Sequence, residues 1–208
     1  MNFMAVQVYN LKVTYEGCDN RIWRDIAVSS NYRLADIGCA ILATFDTRAY
    51  HLFEMKFKDM NFVLSDEEIY NTLYSGAEHC ELLFDRKIGE LDIKPGESIE
   101  MVYDFGCEQV FDIRLMGIEA MPKGHGRAYP KILDGAGKGI IDDMSAEELL
   151  EVIKTIDAGE SSGIRYSKYD LSPRLEPPEW DYRKYDIESD NALFKGETDL
   201  IREAYESC

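Results

Sequence analysis

The sequence predicts an α+β fold: a two-layer sandwich whose mixed, mostly antiparallel sheet of about five strands carries a main helix on one face. Three observations carry this expectation. Large side chains recur at every second position in Ile99, Met101, Tyr103 and Phe105, and again in Phe111, Ile113 and Leu115, which is the period of a half-buried strand. Leu34, Ile37, Ile41, Leu42 and Phe45 fall instead on one face of a helix. The order hairpin, helix, strand, short helix, strands, helix does not alternate strictly, which favours α+β over a doubly wound parallel sheet.

Taken in order, Leu11, Val13 and Tyr15 alternate with Lys12, Thr14 and Glu16, a strand with one wet face. Glu16-Gly17-Cys18-Asp19-Asn20 supplies turn residues, and Ile22–Val28 returns to close an opening hairpin. A helix follows from Leu34 to Phe45, then a third strand in which His51, Phe53, Met55 and Phe57 alternate. Ser65 and Glu68 have the spacing of a capping box and start a short helix that reaches Tyr74 and ends at Gly76. Lys94-Pro95-Gly96-Glu97 is a turn before the central strand pair, which Asp104-Phe105-Gly106 joins. After a glycine-rich excursion, Asp134-Gly135 reads as a second turn signal. Ser145 and Glu148 form another capping box, opening a helix that bears Leu149, Leu150, Ile153 and Ile156 and closes at Gly159.

Beyond Gly159 the character changes, with Pro173, Pro177 and Pro178 interleaved among Tyr166, Tyr169, Trp180, Tyr182 and Tyr185. So many aromatics point to a meander laid over the domain surface. A last helix is expected from Thr198 to Tyr205, with Leu200, Ile201 and Ala204 facing inward. The chain therefore divides into an α+β domain over 1–159 and an acidic, Tyr/Pro-rich extension over 160–208.

A chain of 208 residues with 45% hydrophobic content can bury a sizeable core. Its formal charge of −17 repels phosphate backbones, so nucleic acid is not an expected partner. No apolar run approaches the ~20 residues of a membrane span. Cys18, Cys39, Cys80, Cys107 and Cys208 are odd in number and lack metal-ligand spacing, so they read as reduced thiols of a cytoplasmic protein. No cofactor is implied.

Two groups of residues are candidate sites. His51, Asp104, Glu108 and Asp134 would form a carboxylate-rich site for a divalent cation if the fold brings them together. Against this stands the usual work of aspartates at turns, which is to accept backbone amides. Lys123, His125, Arg127 and Lys131 give one loop the main basic cluster, suited to an anion or to an acidic segment such as the chain's own tail; the alternative is a solvated loop. Asp104-Phe105-Gly106 lacks every companion motif of a protein kinase. Gly135–Gly139 lacks the phosphate-loop spacing and reads as a flexible loop. Trp23 and Arg24 are expected to pack and pair within the hairpin.

The ordered set Tyr9-x-Leu11-x-Val13, Ile22-Trp23-Arg24-x-Ile26-x-Val28, Leu34-x-Asp36, His51-Leu52-x-Glu54, Tyr103-Asp104-Phe105-Gly106, Tyr129-Pro130 and Leu133-Asp134-Gly135 resembles the plasmid pRiA4b ORF-3-like family. The resemblance covers about Tyr9 to Ile156, and implies an α+β domain and no settled activity. Where that family carries acidic residues, a tryptophan and a histidine after the Asp-Phe-Gly turn, this chain has Cys107, Glu108, Gln109 and Phe111. Phe53 stands where a second histidine is common, and the family's paired cysteines around and after Leu-Asp-Gly are missing, with Ile132 and Ile140-Ile141-Asp142-Asp143 in that region. These departures favour a non-catalytic binding module for a protein partner. The alternative is a divalent-metal-dependent hydrolase, acting on phosphoester bonds through His51, Asp104, Glu108 and Asp134.

Overall fold

Residues 5–18, 20–124, 126–169 and 175–207 are described by the computed structural model, Arg127 in its backbone only. Expectations for Asp19, His125, Pro173 and Cys208 lie outside the described residues. The strands are β1 (Gln7–Tyr15), β2 (Trp23–Ser29), β3 (Phe53–Phe57), β4 (Met60–Val63), β5 (His79–Leu82), β6 (Ser98–Tyr103), β7 (Gln109–Ala120) and β8 (Lys131–Ala136). The helices are α1 (Leu34–Thr44), α2 (Asp66–Tyr74), α3 (Ala146–Asp157) and α4 (Ile187–Glu206).

The α+β class holds, and the sheet is larger than expected. Among the described residues eight strands form one sheet in the order β5-β4-β3-β6-β7-β1-β2-β8, not about five. Its pairs are antiparallel except β4 with β5. Three strands escaped the sequence reading for physical reasons. β4 and β5 are four residues each, too short to display an alternation. β8 contains Asp134-Gly135, which the sequence marks as a turn and the structure pairs with Asp25 and Arg24. Glycine is needed there because a Cβ would stand 2.9 Å from Arg24 Cδ and 3.0 Å from the Trp23 carbonyl oxygen.

Leu11, Val13 and Tyr15 of β1 are buried, while Lys12 and Thr14 between them are partly exposed, so one sheet face is apolar and the other polar. α1 lies against the apolar face with every residue buried, as expected of a helix that is apolar nearly all round. Gly38 permits the contact: a Cβ there would lie 2.3 Å from the ring of Phe53 on β3. α4 packs on α1 and buries Phe194 and Thr198. It is 20 residues long, starting well before Thr198. Asp186 caps it by accepting from the amides of Glu188 and Ser189. Asn191 and Thr198 interrupt its buried stripe, which hides the period, and Leu200 faces outward at 68% exposure.

The segment after Gly159 is held by its aromatics. Trp180 and Tyr166 are buried, and backbone bonds from Tyr166 N to Pro178 O (3.1 Å) and from Trp180 N to Ile164 O (2.8 Å) fold it on itself. The Gly135–Gly139 loop, expected to be flexible, is pressed against the end of α1. A Cβ at Gly139 would meet the Phe45 carbonyl oxygen at 2.4 Å, and Ile140 N donates to that same oxygen.

Arg24 joins these pieces. Its side chain is fully buried. Nε donates to Thr44 Oγ1 at 3.0 Å, Nη1 to the carbonyls of Trp23 and Ala136 at 2.8 Å, and Nη2 to the carbonyl of Thr44 at 2.9 Å. The guanidinium stacks 3.7 Å from the Tyr185 ring, with Asp190 Oδ2 at 4.0 Å. Asp190 is placed by Thr44 Oγ1, which donates to it at 2.6 Å. The cation thus sits where the C-terminal carbonyls of α1 attract positive charge. Asn191 covers the outer edge of β8: its Oδ1 accepts from Ile132 N at 2.8 Å and its Nδ2 donates to Ile132 O at 2.9 Å.

Two measurements check this arrangement. Arg24→Lys keeps the charge and loses the fork, and should cost about 2–4 kcal/mol in urea denaturation. Asp46, in the left-handed region at φ +64°, lies 3.8 Å from Lys138 and 3.7 Å from Lys168. Burial nevertheless pushes its carboxyl up to about 6. A carboxyl raised on folding holds a proton longer in the native state. Its contribution is neutral below the unfolded value of 3.8 and becomes increasingly unfavourable up to about pH 6. Asp46→Asn, which suits the left-handed backbone, should therefore lose less melting temperature than the native chain between pH 4 and pH 7.

Candidate functional site

Antiparallel pairing of β3 with β6 aligns Phe53 with Tyr103, so the residues just outside each strand meet. Asp104 N donates to the Leu52 carbonyl at 3.2 Å, placing Asp104 beside His51. Asp104 itself is left-handed at φ +53°, and its carbonyl accepts from Cys107 N and Glu108 N at 3.0 and 2.8 Å. A third loop, preceding α3, brings in Asp143 at φ +60°.

The side chains converge. His51 Nε2 lies 2.9 Å from Asp143 Oδ1 and 3.5 Å from Asp104 Oδ2, and the three ligand atoms all lie within 4.8 Å of one another. Tyr50 hydroxyl donates to Asp143 Oδ2. That bond, helped by His51, holds the Asp143 carboxyl below the usual carboxylate range. The two oxygens of Asp104 are treated differently. Oδ1 accepts from Gly106 N at 3.2 Å and closes the turn. Oδ2 is buried and accepts no hydrogen bond within the described residues.

The neighbourhood is rigidly braced. Asp142, buried next to Asp143, accepts from Tyr103 hydroxyl (2.9 Å), Tyr166 hydroxyl (2.6 Å) and Arg48 N (2.8 Å). The His51 ring packs against Tyr50 at 4.3 Å and edge-on to Tyr103 at 5.6 Å, and its carbonyl accepts from the Tyr205 hydroxyl of α4. Cys107 is adjacent, and burial followed by the Asp104 carboxylate pushes its thiol up.

Of the residues singled out in the sequence, the structure brings His51 and Asp104 together and leaves Glu108 and Asp134 elsewhere. Glu108 is an exposed left-handed turn residue, lining a shallow hollow with Glu16, Glu54 and Glu100. Asp134 lies on β8, separated from β6 by β7, β1 and β2, and its Oδ1 accepts from Gly135 N at 2.8 Å. Asp143 and Tyr50 were missed. The Asp142-Asp143 pair just before the Ser145 cap was the available signal, and nothing local ties it to His51. In the basic loop, Lys123 is exposed in a turn and Lys131 is exposed on β8; the Arg127 backbone forms a short 3₁₀ turn. A hollow of about 850 Å³ between Lys12, Asp112 and Arg114 lies on the polar face away from His51.

Fold and loops together define an α+β protein with one mixed sheet, whose acid and imidazole side chains meet at one end of β3 and β6. A family model described as plasmid pRiA4b ORF-3-like protein matches residues 7–188. The chain belongs to that family. The crystal structure of a protein of unknown function from Methanosarcina mazei Go1 is similar, with a TM-score of 0.62 and 23% identity over 74% of this chain and 83% of that one; this likeness shows the fold alone. No curated protein matches the chain.

Asp142→Ala would leave the Tyr103 hydroxyl and the Arg48 amide without their acceptor, while Tyr166 keeps the Asp46 carbonyl, and should cost about 2–4 kcal/mol in chemical denaturation. Asp134→Ala, on the exposed edge, should cost less than about 1 kcal/mol.

Proposed function

We propose that this chain is a non-catalytic binding protein of the cytoplasm that engages a protein partner through the exposed face of α2. The observation that carries the reading is the surface of that helix. α2 is nine residues long and buries none of them fully, while isolated helices this short are marginal in water and normally rest on tertiary packing. Tyr70, Leu73 and Tyr74 stand at i, i+3 and i+4, exposed by 69%, 43% and 84%. The two tyrosines stack on each other at 6.2 Å. An aromatic stripe of this spacing is the anchor pattern by which a helix lies in a groove.

Asp66, Glu67 and Glu68 occupy its first turn, so the matching groove has an apolar floor and a basic rim. The cysteines support a reducing compartment: Cys18 and Cys39 are buried thiols outside any disulfide, and burial pushes Cys39 up to about 12. The alternative, a phosphoester hydrolase using a divalent metal, is favoured by one observation, the meeting of His51, Asp104 and Asp143. Glu108 and Asp134 play no part in that version.

A Tyr70→Ser/Leu73→Ser/Tyr74→Ser variant should stay within about 2 kcal/mol of native stability, because none of the replaced side chains is fully buried and serine lowers helix propensity only modestly. Chemical cross-linking in native lysate should then capture a discrete partner with the native chain and lose it with the variant. Identical capture by both would end the α2 reading. Hydrolysis of a phosphomonoester that needs added metal and vanishes in Asp104→Asn would replace it with the alternative.

A further inference from the structure

We infer that His51, Asp104 and Asp143 form a binding site for one divalent transition-metal ion of the zinc class. This site stands apart from α2 and needs no catalytic role. Tetrahedral donors about 2.0–2.1 Å from a zinc ion stand about 3.3–3.4 Å apart. His51 Nε2 is 3.5 Å from Asp104 Oδ2 and 2.9 Å from Asp143 Oδ1, and the three ligand atoms lie within 4.8 Å of one another, so the carboxylates reach the arrangement by rotating about the imidazole.

The buried oxygen of Asp104 supplies the independent argument. The residue is 5% exposed, and its Oδ2 accepts no hydrogen bond within the described residues, with the His51 nitrogen 3.5 Å away and the Cys107 thiol beside the carboxylate. A buried carboxylate oxygen without a partner is costly, and this one points at the imidazole nitrogen. A cation shared by the three groups would satisfy it. Two carboxylates and a neutral imidazole carry a formal −2, which balances a divalent ion. Imidazole is a poor ligand for Ca²⁺ and Mg²⁺, which prefer all-oxygen sites.

The surroundings match what metal ligands require of their neighbours. Gly106 N holds the other oxygen of Asp104, and Tyr50 holds the other oxygen of Asp143. Tyr205 fixes the backbone of His51. The Asp143 side chain is 66% exposed, so the ion has a path from solvent and keeps open positions for water.

The test is calorimetric titration of Zn²⁺ into metal-stripped, full-length protein, with melting curves recorded alongside. One ion per chain should bind and raise the melting temperature. Asp143→Asn changes an exposed side chain. Asp104→Asn retains a residue suited to the left-handed backbone and an oxygen for Gly106 N. Each should weaken binding by at least about 10-fold and abolish the thermal shift, while Asp134→Asn changes neither. Co²⁺ in place of Zn²⁺ should give visible d–d bands that Asp143→Asn removes. Absence of saturable binding would overturn the site. Equal affinity in all variants would overturn it as adventitious surface binding, and displacement by equimolar Ca²⁺ would overturn the zinc-class assignment.

Discussion

The guanidinium of Arg24 is the interaction on which the arrangement depends. It is a permanent charge removed from water, which is tolerable only because every direction around its plane ends in an oxygen or a ring. Those partners come from separate parts of the chain: the end of α1, the end of β8, the loop after it, and the Tyr185–Asp190 entry to α4. Apart from β8 and the loop that follows it, none of these pieces is a sequence neighbour of the others. A single side chain therefore fixes where the last strand joins the sheet and where the last helix begins.

The consequence extends to the other end of α4. Once Asp190 is placed, the helix runs its 20 residues along α1. It delivers Tyr205 to the carbonyl of His51 and Glu206 to Arg33. Phe53, at the start of β3, packs edge-on to Tyr205 at 5.2 Å. The loop that presents His51 is thereby held by the sheet on one side and by the final helix on the other. Asp104 shows how shape and chemistry share a residue. One of its oxygens does what an aspartate at a bend ordinarily does, and the other is left over, buried and directed at an imidazole.

Much of the fold was legible because local rules and burial agree where the chain is regular. The alternation through Leu11, Val13 and Tyr15, the stripe on α1 and the caps at Ser65 and Ser145 each need only neighbouring residues to be read. Where tertiary contacts set the backbone, the reading went astray. Asp134-Gly135 looks like a reversal, yet Gly135 is there to let Arg24 and Trp23 come close. α4 hides its period behind Asn191 and Thr198, whose polar groups are satisfied by Ile132 and by the Phe194 carbonyl. Half of the candidate site rests on the pairing of β3 with β6, which sets His51 beside Asp104 just beyond the strand ends. Asp143 does not, since its approach depends on Asp142 being gripped by Tyr103 and Tyr166 from elsewhere in the chain.

A sheet of this width has two rims, and each is a potential template for another chain. At β5 the exposure is limited by length, since only four residues pair there. At β8 the amide of Asn191 occupies both backbone groups of Ile132, giving that position what an incoming strand would offer. The helix thus behaves as a counterfeit neighbour: a second copy of the chain meeting this rim finds the backbone of Ile132, near the start of β8, already taken.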